Sequence, residues 1–230
     1  MYVYSFYKFQ NIARLLSIKK DLLNSLKNLK VMGTILLSPE GINVNMSQSE
    51  KNLDKAVKII CNMLNIDGFH INKSVSDFIA FKKLKVKIKD EIIRFNSLYR
   101  HEHYNGLQSI SPKKWDYLMS EEVQLIDMRN NFEHCLGTFR NAINLNLINF
   151  TDLKSREDSL NELDKKKKTA IFCTGGIRCE KAGQYLNDIG FEDVYQLEGG
   201  IVNYLNETTN NSWIGKCFVF DDRILLKNNL

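Results

Sequence analysis

The chain has 230 residues, 43% of them hydrophobic, which suits one large domain or two small ones with true cores and excludes a disordered chain. Its net charge of +5 admits an acidic partner such as RNA without demanding one. No run approaches the roughly 18 apolar residues of a membrane helix. The start MYVYSFYKFQ has no secretory pattern, and five scattered cysteines make no disulfide framework, so the expectation is a cytoplasmic protein with reduced thiols.

Tyr2 to Phe9 alternates like a strand, and Ile12, Leu15, Leu16, Leu22, Leu23, Leu26 and Leu29 then form a helical stripe. Val31 to Leu37 and Ile42 to Met46 read as a hairpin around Ser38-Pro39-Glu40-Gly41. Ser47 or Ser49 can cap a helix carrying Leu53, Val57, Ile60, Met63 and Leu64, with Gly68 as its stop. A strand near Phe69 to Val75 and the alternating KKLKVKIKDEIIRF complete a β-α-β-β-α-β order, the split βαβ or ferredoxin-like plan, over residues 1–95.

Residues 96–114 read as the linker, its polar part ending at Ser111-Pro112, where a helix begins. Over residues 115–215 short apolar runs (VQLIDM, AINL, TAIFCT, VYQLEG) alternate with helical segments at Ser155 to Asp164, Cys179 to Ile189 and Gly200 to Asn206. Strands separated by helices imply crossovers and a parallel sheet covered on both faces, with residues 216–230 as a tail.

FCTGGIRCEKA, Phe172 to Ala182, joins a buried strand to a helix, the place where open parallel sheets bind ligands. Cys173 opens the loop. The amides of Thr174, Gly175, Gly176, Ile177 and Arg178, the helix N-terminus and the Arg178 charge all favour its thiolate. Gly175 and Gly176 permit the tight curl. A zinc site lacks a second cysteine or histidine pair at ligand spacing. Four residues separate Cys173 from Arg178, one fewer than cysteine phosphatases place around phosphate, which suits a ring sized for one sulfur. Two buried structural cysteines remain the plain alternative.

This loop resembles a rhodanese active site, as do LIDMRNNFEHCLGTFRNAINL (Leu125 to Leu145) and VYQLEGGIVNY (Val194 to Tyr204). With GTILLSPEGIN (Gly33 to Asn43), FKKLKVKIKDEII (Phe81 to Ile93) and WIGKCFVFDDR (Trp213 to Arg223), the chain is similar throughout to the bacterial tRNA uridine hydroxylases, which join a ferredoxin-like domain to a rhodanese domain. The resemblance implies oxygen-dependent conversion of wobble uridine 34 of tRNA to 5-hydroxyuridine, with molecular oxygen as co-substrate, the anticodon region as partner and Cys173 as a catalytic cysteine carrying a persulfide. No cofactor motif is evident. A thiosulfate or persulfide sulfurtransferase and a non-enzymatic RNA-binding module are the alternatives, and the oligomeric state is open.

Cys179, six residues after Cys173, can either resolve an oxidised Cys173 as a disulfide or merely pack beneath the loop. Arg129 can anchor substrate or pair with Asp127 to tie loops together. Adjacent His134 and Cys135 are read as structural. Lys83, Lys85, Lys87 and Lys89 share one face of a strand, as an RNA contact or as edge protection. Tyr99, Arg100, His101, His103 and Tyr104 can stack on unpaired bases or pack the linker.

Overall fold

The computed structural model describes residues 1–96, 107–209 and 212–226. The chain forms two compact units, Met1–Arg94 with Phe220–Arg223, and Phe95–Val219 with Ile224–Leu230.

In the first unit β1 (Tyr2–Phe9), α1 (Leu15–Lys27), β2 (Met32–Ser38), β3 (Gly41–Gln48), α2 (Glu50–Leu64), β4 (Asn72–Val75) and β5 (Leu84–Ile88) build one sheet in the order β4-β1-β3-β2-β5. The first four strands have the ferredoxin-like order, antiparallel throughout, and β5 adds a parallel edge beside β2. Register is set by alternation: Phe6 pairs Val44, and Val44 pairs Ile35, so one face is apolar from strand to strand. That face packs Tyr4, Phe6, Ile35, Leu37, Ile42, Val44 and Met46 against Leu22 and Leu26 of α1 and Leu53, Ala56 and Ile60 of α2.

Two local expectations change. Leu16 is 79% exposed and Leu23 is 36% exposed, because neighbours on a helix point about 100° apart and Leu15 and Leu22 already take the core side. α2 ends at Leu64, before Gly68: Asn65 still donates its N–H to the Cys61 carbonyl, and its left-handed conformation brings the Ile66 N–H to the same carbonyl at 3.1 Å. Ser49 occupies the N-cap position, whereas Ser47 Oγ accepts the Ala80 N–H.

The second unit holds β6 (Gln108–Ile110), α3 (Pro112–Ser120), β7 (Gln124–Asp127), α4 (Asn131–Leu136), β8 (Gly137–Phe139), β9 (Ile143–Asn144), a 3-10 helix (Phe150–Arg156), α5 (Glu157–Asn161), β10 (Thr169–Phe172), α6 (Ile177–Asp188), β11 (Val194–Leu197), α7 (Gly200–Glu207) and β12 (Trp213–Gly215). Its sheet is parallel, in the order β6-β11-β10-β7-β9, and β12 pairs with β8 in a separate two-stranded ribbon. Central β10 is buried at all four residues, as a strand covered on both faces must be. Phe139 stands edge-on to Phe172, Tyr204 and Trp213 with ring centroids 4.8 to 5.1 Å apart, fixing the carboxyl end of β10.

Three segments differ from the sequence reading. The stretch read as one helix over Ser155 to Asp164 is the tail of the 3-10 turn plus the five residues of α5. Gln108 to Ile110, placed in the linker, form an edge strand parallel to β11, and β8 with β12 was not foreseen because three-residue strands leave almost no period. α6 starts at Ile177, two residues earlier than read, so Arg178 and Cys179 lie on its first turn.

Candidate active site

The loop of interest leaves the centre of the parallel sheet. Phe172 ends β10, where its carbonyl accepts the Met128 N–H at 3.0 Å and holds the strand against the end of β7. Gly176, at φ 95°, turns the chain into α6 in a backbone conformation that costs glycine little. Cys173 is fully buried between them. Its Sγ accepts the Gly176 N–H at 3.1 Å, and the Arg178 and Cys179 N–H groups also face it, so the amides converge on one sulfur as the loop length suggested.

Burial alone would push this thiol upward. A hydrogen bond from the Cys179 thiol, the Arg178 charge and the backbone N–H groups outweigh it and bring Cys173 down from an ordinary 9.0 to about 6. Burial and the neighbouring Cys173 sulfur hold Cys179 well above the thiol range. Burial takes Cys217 up to about 12. Cys61 is also raised, chiefly by burial, so Cys173 is the cysteine that the fold shifts toward thiolate.

Arg178 acts on the sulfur through its charge, because its donors are engaged elsewhere. Nη1 and Nη2 reach the two oxygens of Glu133 at 2.6 and 2.8 Å, and Nη2 also donates to Thr174 Oγ1 at 3.1 Å. The Glu133 carboxylate accepts two more bonds, from the Asn130 N–H at 3.1 Å and the Thr174 hydroxyl at 3.1 Å. Four donors on a fully buried carboxylate tie α4, the loop and α6 together. Sequence reading missed Glu133. Its available signal was Asn130-Asn131-Phe132-Glu133, the spacing of a capping box after β7.

The outer carbonyls of the loop are held from α7. Ile201 N–H donates to the Cys173 carbonyl and Val202 N–H to the Thr174 carbonyl, both at 3.0 Å. Gly200, at φ 67°, permits this approach, since a Cβ there would lie 2.5 Å from the Cys173 carbonyl oxygen and 2.7 Å from the Gly176 nitrogen. With the Cys173 and Thr174 carbonyls held from α7, the Gly176, Arg178 and Cys179 amides are left to face the sulfur. Thr174, Gly175 and Ile177 form the half-buried outer side of the loop.

Arg129 has the geometry of the loop-tying pair. Its guanidinium meets Asp127 at 2.9 and 2.6 Å and the Gly137 carbonyl at 2.6 Å, lies against the Trp213 and Phe172 rings, and is fully buried. A side chain so enclosed faces protein on every side. Asp127 also accepts from Thr138 and pairs with His134 Nδ1 at 3.1 Å, and Cys135 lies exposed beside Asn131. Burial would raise the Asp127 carboxyl, but His134 and Arg129 hold it below its usual range.

In the first unit Lys85 and Lys87 stand exposed on edge strand β5, with Lys83 and Lys89 exposed at its two ends and Val86 buried on the other face. Tyr99, Arg100, His101, His103 and Tyr104 lie outside the described residues. Among the described residues no cluster of three His, Cys, Asp or Glu side chains is arranged to hold a metal ion, and no helix is long and apolar enough to cross a membrane.

Residues 1–92 match the family described as the UPF0176 acylphosphatase like domain, and residues 112–207 match the rhodanese-like domain. The chain is 38% identical over 229 residues to a tRNA uridine(34) hydroxylase of Wolbachia pipientis subsp. Culex pipiens (strain wPip), covering 98% of this chain and 81% of that one. It is 40% identical over 233 residues to the protein of that name from Pelagibacter ubique (strain HTCC1062), covering 99% and 76%, and 36% identical over 230 residues to that from Legionella pneumophila (strain Corby), covering 98% and 90%. These matches run through both units and across the Cys173 loop, and the chain belongs to the tRNA uridine(34) hydroxylase family.

Proposed function

We propose that this chain is an oxidoreductase that hydroxylates wobble uridine 34 of tRNA to 5-hydroxyuridine, with molecular oxygen as co-substrate and Cys173 as the catalytic sulfur. The carrying observation is the Cys173 thiol lowered to about 6 inside a rhodanese-type loop, in a chain that matches relatives bearing the hydroxylase name over nearly its own whole length. Thr174, Gly175, Gly176, Ile177 and Arg178 shape and charge the cradle that holds the thiolate, or the persulfide it carries. The rhodanese-like region, residues 115–215, supplies the reacting sulfur, and the ferredoxin-like region, residues 1–95, helps hold RNA. Lys83, Lys85, Lys87 and Lys89 meet phosphates of the anticodon region. Arg129 serves by fixing the segment after β7 through Asp127 and the Gly137 carbonyl. The compartment is the cytoplasm, where tRNA is found.

The test is 5-hydroxyuridine in tRNA from cells lacking the protein, with rescue by wild type or Cys173→Ser. Loss on deletion, rescue by wild type and none by the serine variant is the expected pattern. Unchanged modification on deletion sinks the activity, and full rescue by Cys173→Ser sinks the role of the cysteine. The rhodanese-like loop also fits a sulfurtransferase, which would transfer sulfur from thiosulfate to cyanide in the absence of RNA.

A further inference from the structure

Two thiols meet inside the loop. Cys179 lies on the first turn of α6, three residues after Gly176, with its N–H bonded to the Gly176 carbonyl at 3.0 Å, while the Gly176 N–H donates to the Cys173 sulfur at 3.1 Å, so one residue of the loop touches both cysteines. Both are fully buried, and their only separation along the chain is the loop itself. Cys217 Sγ turns instead to the Phe218 carbonyl, and Cys135 lies on α4 beside Asn131. Cys179 is thus the one thiol that the fold delivers to Cys173.

We propose that Cys179 is the resolving thiol of Cys173, closing a disulfide across the loop whenever a hydroperoxide oxidises the Cys173 sulfur. The proposal rests on the assignment of Cys173 as the reactive thiolate and concerns the fate of that sulfur between turnovers. In the first step the thiolate attacks a peroxide oxygen, the O–O bond breaks, and Cys173 becomes a sulfenic acid as hydroxide leaves. In the second, Cys179 sulfur attacks Cys173 sulfur, the S–O bond breaks, water leaves with the Cys179 proton, and an S–S bond forms. The two electrons lost by the thiol pair are those gained by the peroxide, and a dithiol reductant returns them.

The order of events is built into the electrostatics. While Cys173 is anionic, burial first and then the Cys173 charge hold the Cys179 proton in place, which keeps the resolving thiol unreactive. Oxidation to a neutral sulfenic acid removes that anion, and the Arg178 charge, which favours ionisation of Cys179, then acts without it. Oxidation of Cys173 thus removes one of the two effects that hold the Cys179 proton, burial being the other. Both sulfurs lie on one short loop and the helix turn that follows it, so the intramolecular partner has the advantage of proximity.

The test uses the full chain treated with hydrogen peroxide and digested with trypsin without reductant. Cleavage after Arg178 separates the two cysteines into residues 169–178 and 179–181, and the expected product is these peptides joined, two hydrogens lighter than their sum and released by dithiothreitol. In Cys179→Ser, dimedone should trap several-fold more sulfenic acid on Cys173 than in wild type. Wild-type protein that yields sulfinic Cys173 beside a free Cys179, or equal dimedone labelling in the two proteins, overturns the proposal. No tRNA enters this experiment: a disulfide formed by protein that leaves tRNA unmodified counts against the hydroxylase reading alone, and active protein without the disulfide counts against this inference alone.

Discussion

At the scale of single residues, the site draws its reactivity from what surrounds one buried sulfur. Alkylation of Cys173 by iodoacetamide should rise as pH passes through about 6, some three units below an ordinary thiol at 9.0, since only the thiolate reacts. A half-point above 8 would remove the electrostatic argument. Glu133→Ala should destabilise the chain by about 3–5 kcal/mol in urea, because it strands the buried Arg178 charge as well as the Thr174 hydroxyl. A loss below about 1 kcal/mol would mean that solvent already screens the pair. Cys173 and Arg178 were legible because loop chemistry is written in consecutive residues. Glu133 was obscure because it lies 45 positions from Arg178, and no local pattern announces that distance.

Among elements, the loop is shaped as much by α7 as by its own sequence. Gly200→Ala forces a Cβ into backbone oxygens at 2.5 and 2.7 Å and strains a left-handed residue, so it should cost about 1–3 kcal/mol and move the Cys173 alkylation half-point upward. An unchanged half-point would show that the loop holds its curl without α7. On β5, Lys85→Ala with Lys87→Ala should leave the melting temperature within a degree or so, since both side chains are exposed, while weakening tRNA binding. Each lost phosphate contact should shrink the slope of log affinity against log salt by about 0.7 for single-stranded RNA. Equal slopes in variant and wild type would assign those lysines to edge protection alone. Long amphipathic elements such as α2 were readable from period, whereas β8, β9 and β12 were too short to carry one and exist through their partners.

For the whole molecule, the low Cys173 pKa links stability to pH with a definite sign. The folded state releases this proton near 6 and the unfolded chain near 9.0, so between those values the unfolded state binds more protons and stability rises with pH. The contribution is present above about 9 and is lost as pH falls through about 6. Wild type should therefore gain on Cys173→Ser by up to about 1.4 kcal/mol per pH unit across that window, read as the difference between their denaturation curves. Parallel pH profiles would contradict the assignment. The covalent path also joins the two units three times: the chain leaves the first after Arg94, returns to it at Phe220–Arg223, where Arg223 bonds Asp221 and Ser74, and leaves it again at Ile224.

The sequence alone determined the two-part plan, the strand alternation of β1 to β3 and the cysteine loop, because each depends on residues within one turn, one strand or one helix period. The tertiary structure decided what no short window contains. It chose which leucines of α1 face the core, drew residues 108–110 into the sheet, sealed Arg129 inside an ion pair, and brought Glu133 and Gly200 from distant parts of the chain against the Cys173 loop. Those choices follow from packing and from satisfying buried charges and carbonyls, which are properties of neighbours in space rather than in sequence.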